Sequence, residues 1–264
     1  MKNILVVITT AFVPTGGLTT VMMNYYRMMN KEEVKIDFAS TNNPPQVLLD
    51  EIHASGSEYY QLSDRKNVLA YFFALKKLCR GYDAIHVHAN SAMAVMELQA
   101  AIWAGIKIRI IHNHSSRSQH NLLNQLFLSL YRRSFTQAVA CSDEAGEWLY
   151  GKNGFITLRN AINAKRFKFD VVKRLIMRHN FGFGDDEYVI GHIGKFMEAK
   201  NHSFLIEVFA KYHALQPKSK LLLIGDGELR HLVEAAIDKN KVNDCVILAG
   251  LRSDISDAVS YTHL

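Results

Sequence analysis

Tyr188-Val189-Ile190-Gly191-His192-Ile193-Gly194-Lys195-Phe196 is an apolar run that breaks into a glycine and a lysine, and a helix-length segment at 203–215 follows it. The unit then repeats. Lys220-Leu221-Leu222-Leu223-Ile224 turns through Gly225-Asp226-Gly227 into a helical pattern at 228–239, and a third apolar run stands at 245–248. Short β-branched runs without polar alternation are strands buried on both faces, and their alternation with amphipathic helices marks a parallel sheet. Toward the N-terminus the same rhythm predicts strands at 4–8, 34–39, 58–61, 84–87, 107–111, 137–140 and 155–158. Between them lie helical patterns at 18–29, 46–55, 68–79, 92–103, 122–134 and 143–150. Crossovers of that length are right-handed βαβ units. The expected class is α/β with two doubly wound domains, one complete over 1–165 and one partial over 187–264. The basic segment 166–186, with few strand signals, is expected to be the connection between them, carrying a short helix.

Three strands and two helices bury little apolar surface, so the second domain is expected to be incomplete. A further helix is predicted at 254–259, and Ser260-Tyr261-Thr262-His263-Leu264 is read as foreign sequence after a truncated reading frame. The 264 residues, 48% hydrophobic and 21% charged, make a globular protein and not a disordered one. The net charge of +6 fits an anionic ligand or an acidic membrane surface, and equally a solvated face. No run approaches about 18 apolar residues, so no transmembrane helix is expected. The start, Met1-Lys2-Asn3-Ile4-Leu5-Val6-Val7-Ile8, reads as a buried strand and not a signal peptide. Cys79, Cys141 and Cys245, odd in number and far apart, suggest a reducing cytoplasm.

In an open parallel sheet, ligands bind beyond the carboxyl ends of the strands. After the first strand come Gly16-Gly17 at a helix start, where backbone N–H groups favour an anion; an ordinary βα turn is the alternative. His86-Val87-His88 and His112-Asn113-His114 each place two imidazoles on one face of an extended chain. No neighbouring carboxylate or cysteine completes a ligand set, so no metal is expected. His86 is read as a satisfied core residue, and His114, at a strand end, as a hydrogen-bond partner for a substrate hydroxyl. Lys195 and Lys200 share one loop before a helix, suited to gripping a diphosphate and stabilising its charge as it leaves. The P-loop spacing is absent, and Gly225-Asp226-Gly227 is half a dinucleotide fingerprint. Gly250-Leu251-Arg252-Ser253-Asp254 ends the next strand, where its backbone can meet a nucleobase.

Taken in order, these motifs resemble glycosyltransferase family 4. The resemblance covers nearly the whole chain. It rests on Gly16-Gly17, on His114 (with His112 as runner-up), on Asn160-Ala161-Ile162-Asn163, and on Gly225-Asp226-Gly227 and Gly250–Asp254. Its most specific part is Ile190-Gly191-His192-Ile193-Gly194-Lys195-Phe196 with Lys200-Asn201-His202-Ser203-Phe204-Leu205-Ile206-Glu207. The family often has arginine where Lys195 stands, which keeps the charge and loses the bidentate fork. The resemblance implies two facing Rossmann-like domains, the GT-B fold. It also implies retaining transfer of a sugar from a nucleotide diphosphate donor, such as a UDP- or GDP-sugar, with no cofactor and no essential metal.

By the same resemblance, Gly194, Lys195 and Lys200 hold the donor diphosphate. Gly225, Leu251 and Arg252 lie on the nucleobase side, and Gly16, Gly17 and His114 face the acceptor, with His114 as the catalytic candidate. The acceptor is expected to be a saccharide or lipid-linked sugar in bacterial cell-surface polysaccharide assembly, with no nucleic acid partner. The family's glutamate pair is absent and is expected about 20 to 30 residues past Leu264, so this fragment is expected to be inactive. The helix at 122–134 reads either as a peripheral contact on the inner face of the plasma membrane or as a core helix with a basic end. The alternatives kept open are a regulatory nucleotide-sugar-binding relative and a Rossmann-type sugar-nucleotide-modifying enzyme.

Overall fold

The structure is a computed structural model that describes residues 1–14, 16–117, 121–252 and 254–255. The chain divides into two compact units at Ile162/Asn163. In the first unit the strands are β1 (Lys2–Ile8), β2 (Val34–Ser40), β3 (Tyr59–Gln61), β4 (Ala84–Ala89), β5 (Ile108–Asn113), β6 (Gln137–Ala140) and β7 (Phe155–Thr157). The helices between them are α1 (Gly17–Met28), α2 (Gln46–Ala54), α3 (Val68–Cys79), α4 (Val95–Ala104), α5 (Asn121–Ser134) and α6 (Asp143–Tyr150). All strand pairs are parallel, in the order β3-β2-β1-β4-β5-β6-β7. The strand order reverses at β1 and β4, so the crevice for a ligand opens at their carboxyl ends.

The helices begin where the sequence satisfies their first amides. Asn67 accepts from Ala70 at the start of α3, and Ser142 accepts from Ala145 at the start of α6. Each such cap stabilises a helix by about 1 kcal/mol. Strand alternation sends Leu5, Val7, Ile85, Val87 and Ile111 into one core, covered by α3 to α6. Val6, Ile8, Ile36 and Phe38 point the other way, into a core with Met22, Met23 and Tyr26 of α1 and Leu48 and Ile52 of α2. Both sheet faces are covered, as the continuous apolar runs require.

The second unit holds α7 (Val171–Phe181), β8 (Tyr188–Ile193), α8 (His202–Leu215), β9 (Ser219–Ile224), α9 (Arg230–Asn240) and β10 (Val246–Leu248). Its sheet is parallel, in the order β10-β9-β8. Ile206, Phe209, Val233 and Ile237 cover one face. Met177 of α7 and Phe183 cover the other, against Val189, Leu222 and Ile224. The short helix expected within 166–186 is α7, and it packs into the second core. Asp170 caps α7 through Val172 and Lys173, and Gly182 ends it at φ 70°. Arg178 is buried, and its Nη2 donates to the carbonyls of Gly184 and Glu187. The expected helix beyond residue 255 and the terminal pentapeptide lie outside the described residues.

Candidate functional site

Two strands run further than their apolar runs. β4 continues through His88 and Ala89, and β5 through His112 and Asn113, because ladder bonding does not depend on side-chain polarity. Register then decides which side chains meet. His86 stands beside Val6 and His88 beside Ile8, so both occupy the face that α1 covers, in place of apolar side chains. His88 pairs directly with His112, and His114 follows two residues later with its N–H on the Ala89 carbonyl. Four imidazoles therefore form one cluster at the carboxyl ends of β4 and β5, beside the switch point.

The rings stack or tilt against one another. His112 and His114 have centroids 4.2 Å apart, His86 and His88 4.3 Å, and His88 and His112 5.0 Å. His88 Nδ1 and His114 Nε2 share a hydrogen bond of 2.9 Å. Both ring nitrogens of His112 and Nε2 of His86 are buried without a hydrogen-bond partner among the described residues. His86 is therefore not the satisfied core histidine that the sequence suggests. Burial pushes all four imidazoles toward the neutral form. His86 and His114 drop to about 4 and His112 to about 2, with the neighbouring rings adding to the effect at His86 and His112. His88 also lies well below its ordinary value, from burial and then from His86, His112 and His114. His114 is half-buried, and with Nε2 engaged only Nδ1 is left for a substrate hydroxyl.

The loop after β1 is pinned from a neighbouring loop. Asn42 accepts from Phe12 N–H and donates back to its carbonyl, and Ser40 Oγ donates to Thr10. Gly16 closes a turn onto the Val13 carbonyl and caps α1, while a side chain at Gly17 would meet nothing within 4 Å. The pair thus keeps the open helix start that an anion can approach.

The second unit builds its strand ends from backbone. Gly194 N–H donates to Ile224, Phe196 to Asp226, Gly225 to Gly250, and Leu229 to Phe196. These bonds zip the loops after β8, β9 and β10 together. Phe196 is fully buried and anchors the first loop in the core. A Cβ at Gly225, where φ is 142°, would lie 2.1 Å from the Gly194 carbonyl oxygen, and one at Gly227 would lie 2.4 Å from that of Phe196. Both glycines are therefore demanded by loop packing, and α9 starts only at Arg230. The Gly225 amide is also spent on Gly250.

Lys195 and Lys200 are exposed on this fixed frame, and neither ammonium pairs with a carboxylate among the described residues. Lys200 lies along Gly194, and its charge, after burial, holds His192 low. His202, at the start of α8, is lowered by burial, then by His192 and Lys200. Leu251 is exposed, whereas Arg252 is committed: its guanidinium holds Asp254 at 2.8 and 2.5 Å and lies over Phe181. Of the residues expected on the nucleobase side, Gly225 and Arg252 thus have structural employment, and Leu251 alone stands open.

The sequence profile of Glycosyltransferase Family 4 matches residues 15–172, and that of Glycosyl transferases group 1 matches residues 173–264. EpsF of Bacillus subtilis (strain 168) is 28% identical over 250 residues, covering 88% of this chain and 65% of EpsF. The chain thus spans less than two thirds of the length of that relative. N-acetyl-alpha-D-glucosaminyl L-malate synthase of Bacillus anthracis is 21% identical, over 97% of this chain and 70% of that protein. Among solved structures, Anabaena Alr3699/HepE in complex with UDP and glucose superposes with a TM-score of 0.82 at 16% identity, over 99% of this chain and 73% of that one. That likeness carries the GT-B fold. With the profile spanning more than half its length, the chain belongs to glycosyltransferase family 4.

Proposed function

We propose that the chain carries the donor-diphosphate grip and the acceptor-side unit of a glycosyltransferase. In this reading a sugar moves from a nucleoside diphosphate to a saccharide or lipid-linked acceptor with retention at the anomeric carbon. The observation that carries it is the loop after β8, where two exposed lysines stand on a backbone fixed by its neighbours. Relatives support a uridine donor: HepE is described with UDP and with UDP-glucose. The name of the Bacillus anthracis relative describes a glucosaminyl product.

The step is written for a front-face attack. The acceptor oxygen bonds to the anomeric carbon as the bond from that carbon to the diphosphate oxygen breaks. The acceptor proton passes to the departing diphosphate. Lys195 and Lys200 stabilise the charge that grows there, since cations placed where charge develops lower the barrier. His114 meets an acceptor hydroxyl through Nδ1.

Titrating UDP into the Lys195→Ala/Lys200→Ala variant by calorimetry tests the grip. Affinity is expected to fall about tenfold for each lost cation, or roughly 1.4 kcal/mol apiece. Unchanged affinity in a variant that melts like the parent would sink the assignment.

We also propose that α5 is the peripheral membrane contact. Leu122, Leu126 and Leu130 are exposed at helical spacing, and Arg132 and Arg133 follow them. The opposite face of α5 packs on the first core through Tyr131, Phe127 and Leu128, so the helix is amphipathic and its leucine face is the part left for a membrane. No helix among the described residues is long and apolar enough to cross a membrane. Sedimentation with anionic vesicles should be lost in Leu122→Gln/Leu126→Gln, and retained binding would refute the contact.

A further inference from the structure

The histidine cluster holds more lone pairs than the fold uses. His88 and His114 satisfy one another, yet His112 is 1% exposed with neither ring nitrogen bonded among the described residues, and His86 Nε2 is buried beside it in the same condition. An unsatisfied buried polar group costs about 1–3 kcal/mol, and several sit within one cluster. Such a concentration asks for an occupant that accepts lone pairs.

His86, His88 and His112 each offer a nitrogen such that all three lie within 4.8 Å of one another. Nitrogens bound to a single tetrahedral ion at about 2.0–2.1 Å stand roughly 3.3 Å apart, so modest ring rotations close the set. The two strands bring these donors together in register, and paired β-strands are a rigid platform for a ligand set. The sequence alone leaves the set short, because the pair on β4 lacks a third ligand until β5 lies beside it.

The same three histidines line a cavity of about 70 Å³ with Met22, Tyr25 and Met29. A water takes about 30 Å³ of liquid, so there is room for an ion and a small fourth ligand. Among the described residues no carboxylate lines the cavity. Three neutral imidazoles with an open fourth position suit a borderline, late first-row ion and not magnesium or calcium, which require oxygen donors.

We propose that His86, His88 and His112 form a binding site for a divalent late first-row transition metal of the zinc type, with its fourth position facing the cavity under α1. This site lies wholly within the first unit and is independent of the donor-grip reading. No charged side chain among the described residues lines the cavity, so the bound ion would take hydroxide or an anionic oxygen as its fourth ligand. That ligand would come from water or from an entering molecule.

The test uses the whole chain without an affinity tag, stripped by chelator dialysis and titrated with Co²⁺ and then Zn²⁺. One equivalent is expected to bind, with a visible ligand-field band of low-coordinate cobalt that zinc abolishes. His112→Phe and His86→Phe are expected to weaken binding at least about 100-fold. His231→Gln, on exposed α9, is expected to leave it unchanged. Phenylalanine fills the same slot without unpaired nitrogens, so both variants should fold, and their chelated unfolding midpoints check that. Zinc should raise the midpoint of the parent and not that of His112→Phe. Absence of stoichiometric binding in the parent, or equal binding by the parent and a folded His112→Phe, would overturn the proposal.

Discussion

The carboxyl ends of the two sheets solve the same topological problem with opposite materials. In the first unit the strands end in side chains, four imidazoles packed ring against ring where apolar residues would otherwise continue the core. In the second they end in glycine, with the main chain of one loop against that of the next. Side chains can rotate, protonate and accept an ion, so the first surface can respond to its surroundings. Backbone packed on backbone cannot, and the second surface is a fixed platform for two exposed lysines. The contrast predicts that the first unit is sensitive to solution conditions and the second to substitution.

The largest expected effect is of pH on the chelated protein. His86 and His114 sit at about 4 against an ordinary 6.5. Above pH 6.5 the histidines are neutral folded or unfolded, and they add no pH dependence. As pH falls below that value the unfolded chain binds protons that the folded cluster refuses, so stability declines until the folded values near 4 are reached. At about 1.4 kcal/mol per unit, each of these two histidines withdraws roughly 3 kcal/mol over that window. Denaturant titrations at about pH 7 and about pH 4.5 in chelator measure it. His86→Phe and His114→Phe should flatten the slope, and a steep slope unchanged in both would assign the loss to other groups.

Next in size is Gly225→Ala. A methyl group there meets the Gly194 carbonyl oxygen at 2.1 Å from a backbone already at φ 142°. Strain and overpacking each cost about 1–3 kcal/mol, so a loss of at least about 3 kcal/mol is expected. It should appear in the unfolding of the second unit and leave cobalt binding by the first unit intact. Destabilisation under about 1 kcal/mol would mean that the loops yield and the platform is not rigid.

Most of this architecture was legible in the residues. The apolar runs located every strand, and α3, α6, β6 and β8 begin and end where their patterns do. What escaped lies where a neighbour, and not the local pattern, decides. Hydrophobicity stops at Val87 and Ile111, but hydrogen bonding carries the strands on and draws His88 and His112 inside. Gly225 resembles part of a phosphate turn, yet its reason is the carbonyl of Gly194, which comes from another loop. The short helix expected in the basic segment after Asn163 is α7, but its burial of Met177 and of the whole Arg178 side chain depends on neighbours that the local pattern does not show. The place of Lys195 and Lys200 on one loop before α8 was readable because it follows from chain order and depends on no register.

The smallest expected effect concerns the glycine that the fold does not require. Gly17 occupies the first turn of α1, with ordinary helical geometry and open space where a Cβ would stand. Alanine there meets nothing and restricts the unfolded chain, so Gly17→Ala should stabilise the first unit by about 0.5 kcal/mol. Gly16 differs, since its Cβ would press on the Val13 carbonyl at 3.2 Å and Thr19 Oγ1 at 3.3 Å. The paired unfolding midpoints separate two reasons for keeping a glycine. If Gly17→Ala is stabilising, folding alone gives no cause for glycine at that position, and the cause lies in what approaches the helix start from solvent. A destabilisation above about 1 kcal/mol would instead place Gly17 in the same class as Gly225, required by the chain itself. The anion-binding reading of the turn would then lose its main structural support.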